Sequence, residues 1–289
     1  MAAGGRALAV VAETDDLDAV VGTRLMLARA LYAAGRYGEA IRHAHDVVAL
    51  LGEDVGRGAL SGMNQTVSAH VWLTLFYAER GEFEAGTAEG EMALRLAPDP
   101  RCTEHDMVGV RLGLGRLQVV RGDLAGAVAT LASALPLCEG DLVIYFSRVA
   151  SSLGRAYAGT GRVDEGIALL QRADERARAI GFAFGHALVL VQLGEALLLA
   201  GDLEQAQEIG CQAVETAQRW GERGNEAWAH CFLGDIGTAR RAHQEGQAHY
   251  QEALAIAEEL EMAPVRARCS AGLARAARHS HPAVDLKSL

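Results

Sequence analysis

Apolar and polar positions along the chain recur in one phrase, which first reads Leu27-Ala28-x-x-Leu31-x-x-x-Gly35-x-Tyr37-x-x-Ala40. It returns as Leu73-Thr74-x-x-Tyr77-x-x-x-Gly81-x-Phe83 and as Leu114-Gly115-x-x-Gln118-x-x-x-Gly122-x-Leu124-x-x-Ala127. Leu153-Gly154-x-x-Tyr157-x-x-x-Gly161-x-Val163-x-x-Gly166 and Leu193-Gly194-x-x-Leu197-x-x-x-Gly201-x-Leu203-x-x-Ala206 follow. The glycines at 35, 81, 122, 161 and 201 stand 46, 41, 39 and 40 residues apart. A sixth copy opens at Leu233-Gly234 but carries Arg241 where the turn glycine should be.

Each copy predicts two packed antiparallel helices. A large residue, a small one and another large one three residues later form one apolar helical stripe. The glycine then ends the first helix, because it takes a left-handed backbone that other residues resist. Tyr37, Phe83, Leu124, Val163 and Leu203 open the apolar face of the second helix. Ala40, Gly86, Ala127, Gly166 and Ala206 let the two helices approach closely. Glycine inside a helix costs about 1 kcal/mol against alanine, so Gly115, Gly154, Gly194 and Gly234 need a packing reason, which close helix contact supplies.

These segments resemble tetratricopeptide repeats, a family of stacked helix–turn–helix units. The family period is 34, whereas the spacing here is near 40, so longer helices are expected. The variant is similar to the long-helix repeats found C-terminal to ATPase or cyclase modules in large bacterial regulators, including maltose-regulator-like transcription activators. The resemblance covers roughly residues 20–260 and implies an all-α fold. That fold is a right-handed α-α superhelix, a solenoid of about six repeats with thirteen or fourteen helices. Residues 4–13 read as a leftover second helix, and Ala263–Ser280 as a capping helix whose Arg266, Arg268, Arg275 and Arg278 suit a solvated outer face. One domain over residues 1–280 and a frayed tail over 281–289 are expected.

The 46-residue step places extra residues at 52–62, read either as a connection between repeats or as a lid. They lack the order of a phosphate-binding loop. No strands are expected: half the chain is hydrophobic but only 5% is aromatic, and there are only five prolines. The formal charge of −10 discourages a direct nucleic-acid role, although arginine dominates the cations and Lys287 is the only lysine. The longest early apolar run, Ala7–Ala12, is too short for a secretory signal or a membrane span. Five scattered cysteines read as buried hydrophobes, so a cytoplasmic location is expected.

Motif searches for chemistry find little. Gly113-Leu114-Gly115 lies in a helical stripe with no strand before it, which excludes a dinucleotide fingerprint. His43/His45 and His279/His281 sit about 200° apart on a helix, unsuited to one metal. Trp228-x-His230-Cys231 has no further ligand at zinc spacing. No catalytic residues, metal ligands or cofactors are assigned, and a non-enzymatic protein is expected.

A binding face is legible instead. With the turn glycine numbered 15, positions 2, 5, 9 and 12 share one face of each first helix. In the tetratricopeptide family that face lines the concave groove, so the resemblance implies the same here. Position 9 holds Arg29, Leu75, Arg116, Arg155, Glu195 and Asp235; position 2 adds Arg148, Leu188 and Trp228, and Trp72 lies beside them. Position 5 is mostly apolar, with Leu25, Val71, Leu112, Ser151, Val191 and Cys231. The family's carboxylate clamp wants Asn at position 9 with Lys nearby, and neither is present. The expected groove is apolar, basic towards one end and acidic towards the other. It suits a protein or peptide segment, amphipathic and charged at both ends.

Two other readings stay open. The apolar positions also serve as packing between repeats, or as a surface for self-association. The arginines also fit a solvated face paired with acids. The expected function is a protein-binding scaffold, the sensing or docking module of a bacterial regulator, with no membrane partner. The alternative is a small-molecule receptor whose groove is closed by residues 52–62.

Overall fold

A computed structural model of the protein describes residues 2–14, 16–55, 59–60, 63–139, 143–181 and 184–280. The tail 281–289, part of the 52–62 connection and the Arg278 side chain lie outside the described residues.

The repeated phrase folds as helix pairs. After α1 (Ala2–Ala12) come α2 (Leu17–Ala33) with α3 (Tyr37–Leu51) and α4 (Gln65–Arg80) with α5 (Phe83–Leu96). Next are α6 (Glu104–Arg121) with α7 (Leu124–Ala132) and the short α8 (Leu135–Cys138), then α9 (Val143–Gly159) with α10 (Val163–Ala179). The stack continues through α11 (His186–Ala200) with α12 (Leu203–Trp220) and α13 (Arg223–Ala239) with α14 (His243–Glu259), and ends at α15 (Ala263–Ser280). Fifteen helices are thus present among the described residues, against the thirteen or fourteen expected. The extra one is α8: Pro136 has no N–H to donate and its ring clashes with the carbonyl four residues back, which splits the third repeat's second helix.

The turn glycines act as the phrase requires. Gly35, Gly81, Gly122, Gly161 and Gly201 all have φ between 77° and 92°. The degenerate sixth turn keeps that geometry with Arg241 at φ 60°, at the cost of some backbone strain. The glycines within the stripes mark close approaches. A Cβ on Gly115 would meet Leu131, one on Gly154 would meet Leu170 and the Gly166 carbonyl, and one on Gly234 would meet Tyr250. At Gly194 the neighbour is Phe232 of the next repeat rather than the helix's own partner.

One expectation needs correction. The 52–62 connection carries a small antiparallel pairing, β1 (Ala59–Leu60) with β2 (Met63–Asn64), so the chain is not wholly without strands. The flanks of this hairpin are pinned. Asn64 accepts from the Val67 amide as the N-cap of α4, its Nδ2 donates to the Val55 carbonyl at 2.7 Å, and its backbone N–H donates to Asp106 at 2.8 Å.

The solenoid closes on itself. The α14–α15 turn packs against the turns of the first two repeats. Tyr37 Oη lies 3.9 Å from Met262 Sδ, Arg80 pairs with Glu261 at 2.6 Å, and Leu260 and Pro264 sit against Gly35 and Gly81. Tyr37 and Met262 are both buried in this seam. Tyr37 belongs to the hydrophobic core of the later repeats, more than 120 residues away in sequence. The expected groove is therefore a lumen ringed by the repeats and still open to solvent at Arg29 and Ala267. α15 caps the stack with Arg266 and Arg275 on its exposed face, while Arg268, half-buried, turns inward to acids.

Candidate functional site

Positions 2, 5, 9 and 12 do line the lumen, and most are buried there. The position-5 residues Leu25, Val71, Leu112, Ser151, Val191 and Cys231 are all buried.

At the centre of the lumen sits a buried ionic cluster. Arg116 donates to Glu79 Oε1 from Nε at 3.1 Å and Nη2 at 2.9 Å, while Trp228 Nε1 donates to Glu79 Oε2 at 2.9 Å. Arg116 also lies over the Trp228 ring, 5.7 Å from its centroid. Burial pulls the Arg116 guanidinium down, and Glu79, with Tyr32 and Glu195, more than reverses this, leaving it above its usual value.

The acidic end is neutralised. Glu195 accepts from Arg155 and Arg268, and Asp235 accepts from Arg268, from Arg275 at 3.2 Å and from Tyr250 Oη at 2.6 Å. Burial alone would raise Glu195, but Arg268 and Arg155 hold its pKa down at about 2. Expected to offer free carboxylates, this end offers paired ones.

The basic end differs. Arg29 and Arg148 approach the buried Trp72 ring, 5.2 Å and 5.4 Å from its centroid, and Arg148 lies 5.6 Å from that of Phe184. Neither guanidinium pairs with a carboxylate among the described residues. Burial pulls the Arg148 guanidinium below its usual value, with Arg29 and Arg116 adding repulsion. Leu75, at position 9 of the second repeat, is buried beneath this group.

Three cavities follow the lumen axis. One of about 60 Å³ is bounded by Arg29, Met63, Trp72, Tyr145, Arg148 and Phe184. It shares Leu75, Leu112, Arg148 and Phe184 with a second of about 30 Å³, which Tyr32, Ser151, Glu222 and Asn225 also line. Burial raises the Glu222 carboxyl, although the Gly185 amide at 2.5 Å and Asn225 at 2.9 Å donate to it. The third, about 380 Å³, lies beyond Arg116 and Leu188 and is walled by Arg155, Gln192, Glu195 and Trp228.

Several of these residues escaped the sequence reading. Glu79 lies four residues after Leu75, one helical turn along the same face, so periodicity alone places it near the lumen. Phe184 and Glu222 sit in connections between repeats, where no periodicity exists to point at them. Among the described residues no three His, Cys, Asp or Glu side chains gather as for a metal, and no helix is long and apolar enough to cross a membrane.

Comparison with known proteins agrees with this architecture. Tetratricopeptide-repeat profiles match residues 145–219, and a second profile of the same repeat matches residues 21–46 and 108–133. The chain is built from tetratricopeptide repeats. No curated protein matches the sequence. Among solved tetratricopeptide-like structures, a chain of the APC/C hetero-tetramer Cut9-Hcn1 superposes with a TM-score of 0.63 at 16% identity, covering 95% of this chain and 46% of that one. A Rap protein complexed with Competence and Sporulation Factor gives 0.58 at 11% identity, covering 91% and 75%. A signal-transduction ATPase with a tetratricopeptide-repeat sensor, from Pyrococcus horikoshii, gives 0.54 at 15% identity, covering 94% and 40%. The chain thus spans less than half of the first and third of these relatives. At such identities the likeness is one of fold.

Proposed function

We propose that this tetratricopeptide-repeat chain is a non-enzymatic docking module that takes an acidic protein or peptide segment into its lumen beside Trp72. The observation that carries this reading is the pair of guanidiniums, Arg29 and Arg148, stacked near one tryptophan with no carboxylate of their own. Arg29 is exposed and keeps its water, but Arg148 is partly buried, and there cation–π contact contributes about 0.5–2 kcal/mol, less than the several kcal/mol that removing a cation from water costs. A carboxylate from a partner supplies the missing charge, and arginine's planar fork suits it. The cavity of about 60 Å³ between Arg29, Arg148 and Tyr145 holds a group of that size. With Glu195 and Asp235 already paired, the partner carries its charge at one end only, not at both as the sequence suggested.

A role in a bacterial regulator, as sensor or docking part, is in keeping with the Rap protein and the ATPase sensor among its structural relatives. Selection of random decapeptides against the intact chain tests the reading. Binders enriched in Asp or Glu are expected, with affinity falling at least tenfold in Arg148→Met and unchanged in Arg162→Gln, an outer-face arginine paired with Glu165. Selected peptides without acidic residues, or equal binding by Arg148→Met, would sink it. A second reading, a small-molecule receptor, is favoured by the separate cavity of about 380 Å³.

A further inference from the structure

The 380 Å³ cavity contains an unanswered polar group. Gln192 lies on its wall and is 2% exposed, yet neither Oε1 nor Nε2 has a hydrogen-bond partner among the described residues. Buried side-chain amides are rarely left with both donor and acceptor unmet. Gln65 is the other such amide among the described residues, and of the two only Gln192 lines one of the three lumen cavities, where a bound group could answer it. Arg155, on the same wall, pairs with Glu195 through Nε but leaves Nη1 without an acceptor.

The rest of the wall defines what fits. Trp228 spends its indole N–H on Glu79, which leaves its ring as an apolar surface. Leu188, Val191 and Phe83 extend that surface. The carboxylates at the cavity, Glu195 and its neighbour Asp235, are each held by arginines. The wall therefore demands no charge from an occupant, unlike the end near Trp72. The Glu79–Arg116–Trp228 cluster stands between the two regions, so this is a separate site and does not depend on the acidic-partner reading.

We infer that the cavity beside Gln192 binds a neutral, compact ligand that carries an amide edge next to a branched aliphatic group. A side-chain amide presents N–H and C=O side by side. Its complement is an edge with acceptor beside donor, as in a lactam, a primary carboxamide, or an extended amino-acid residue capped by amides. The aliphatic part packs on Trp228 and Leu188. The volume lies within the range of small-molecule pockets.

The test uses the full chain and N-acetyl-leucinamide, which has both features and no charge. A fragment of this size is expected to bind with a dissociation constant of about 1 mM. The readout is perturbation of the Trp228 indole N–H in NMR spectra, together with a rise in Tm. Gln192→Leu removes the unmet amide, so the free protein should melt higher while the fragment binds at least tenfold more weakly. Ala267→Leu, a substitution at an exposed position of α15 on the cavity rim, should also weaken binding without touching Gln192. Arg148→Met should leave fragment binding intact, which separates this site from the acidic-partner site. The same leucine within a capped pentapeptide forms the second arm: equal or tighter binding assigns the site to a partner's chain, and weaker binding to a free small molecule. No perturbation of Trp228 by either probe up to about 50 mM, or undiminished binding by Gln192→Leu, would overturn the inference.

Discussion

Arg116 shows how burial changes the meaning of a residue. From sequence, Arg116→Glu together with Arg155→Glu should weaken binding of a partner without much loss of fold. In the structure Arg116 is 5% exposed and its charge is answered by Glu79, itself 2% exposed. Removing one member of a buried pair leaves the other uncompensated, at a cost of about 3–5 kcal/mol. Arg116→Met is therefore expected to lower stability by about that amount in urea unfolding, and Glu79→Leu by a similar amount. The double variant should recover most of the loss, because two well-packed apolar side chains leave no buried charge. A double-mutant cycle with no coupling would show that the pair is not a unit. The sequence showed an arginine at a groove position and a glutamate one turn away in the preceding repeat. That they meet depends on how the two repeats stack, which the pattern within one repeat does not encode.

Helix pairs are where the sequence was most legible. The stripe, the turn glycine and the small residue of the second helix each have a local cause, and the five turn glycines take the backbone expected of them. Close approach varies from pair to pair and so gives graded predictions. A Cβ on Gly237 of α13 would lie 2.5 Å from the Gly246 backbone of α14, and neither backbone can give without separating the helices. Gly237→Ala is expected to destabilise by about 1–3 kcal/mol despite its better helix propensity. Gly109→Ala meets the Met63 methyl at 3.5 Å and the two Val71 methyls at 3.9 Å, all ordinary contacts, and should stabilise by up to about 1 kcal/mol. Thermal or urea denaturation of the two variants checks both signs. The split of the third repeat's second helix was also written in the chain, at Pro136, but the repeat phrase drew attention away from it.

Over the whole molecule, closure sets this solenoid apart from an open stack. In an open array each repeat touches only its neighbours, and damage to the last repeat stays local. Here Leu260, Met262 and Pro264 rest on the first two repeats, and Glu79 reaches Trp228 across the lumen. Leu260→Ala with Met262→Ala is therefore expected to raise amide hydrogen exchange in α2 and α4, 180 or more residues away in sequence, as well as in α14 and α15. Exchange confined to the C-terminal helices would mean that the seam carries little of the stability. Closure also determines which charges remain available, since it brings Arg268 of α15 to Glu195 and leaves Arg148 facing a cavity.

The sequence by itself determined the helix pairs, their turns, the repeat family and the face turned towards the axis. Each of these follows from periodicity and backbone preference within about 40 residues. Tertiary structure alone decided that the axis is a lumen ringed by the repeats and that, among the described residues, Arg116, Arg155, Glu195 and Asp235 are paired with opposite charges while Arg29 and Arg148 are not. It also decided that Gln192 borders a cavity with its amide unmet. The reason is accumulation: small rotations between successive repeats add up along the stack until its two ends meet, and no single repeat contains that sum.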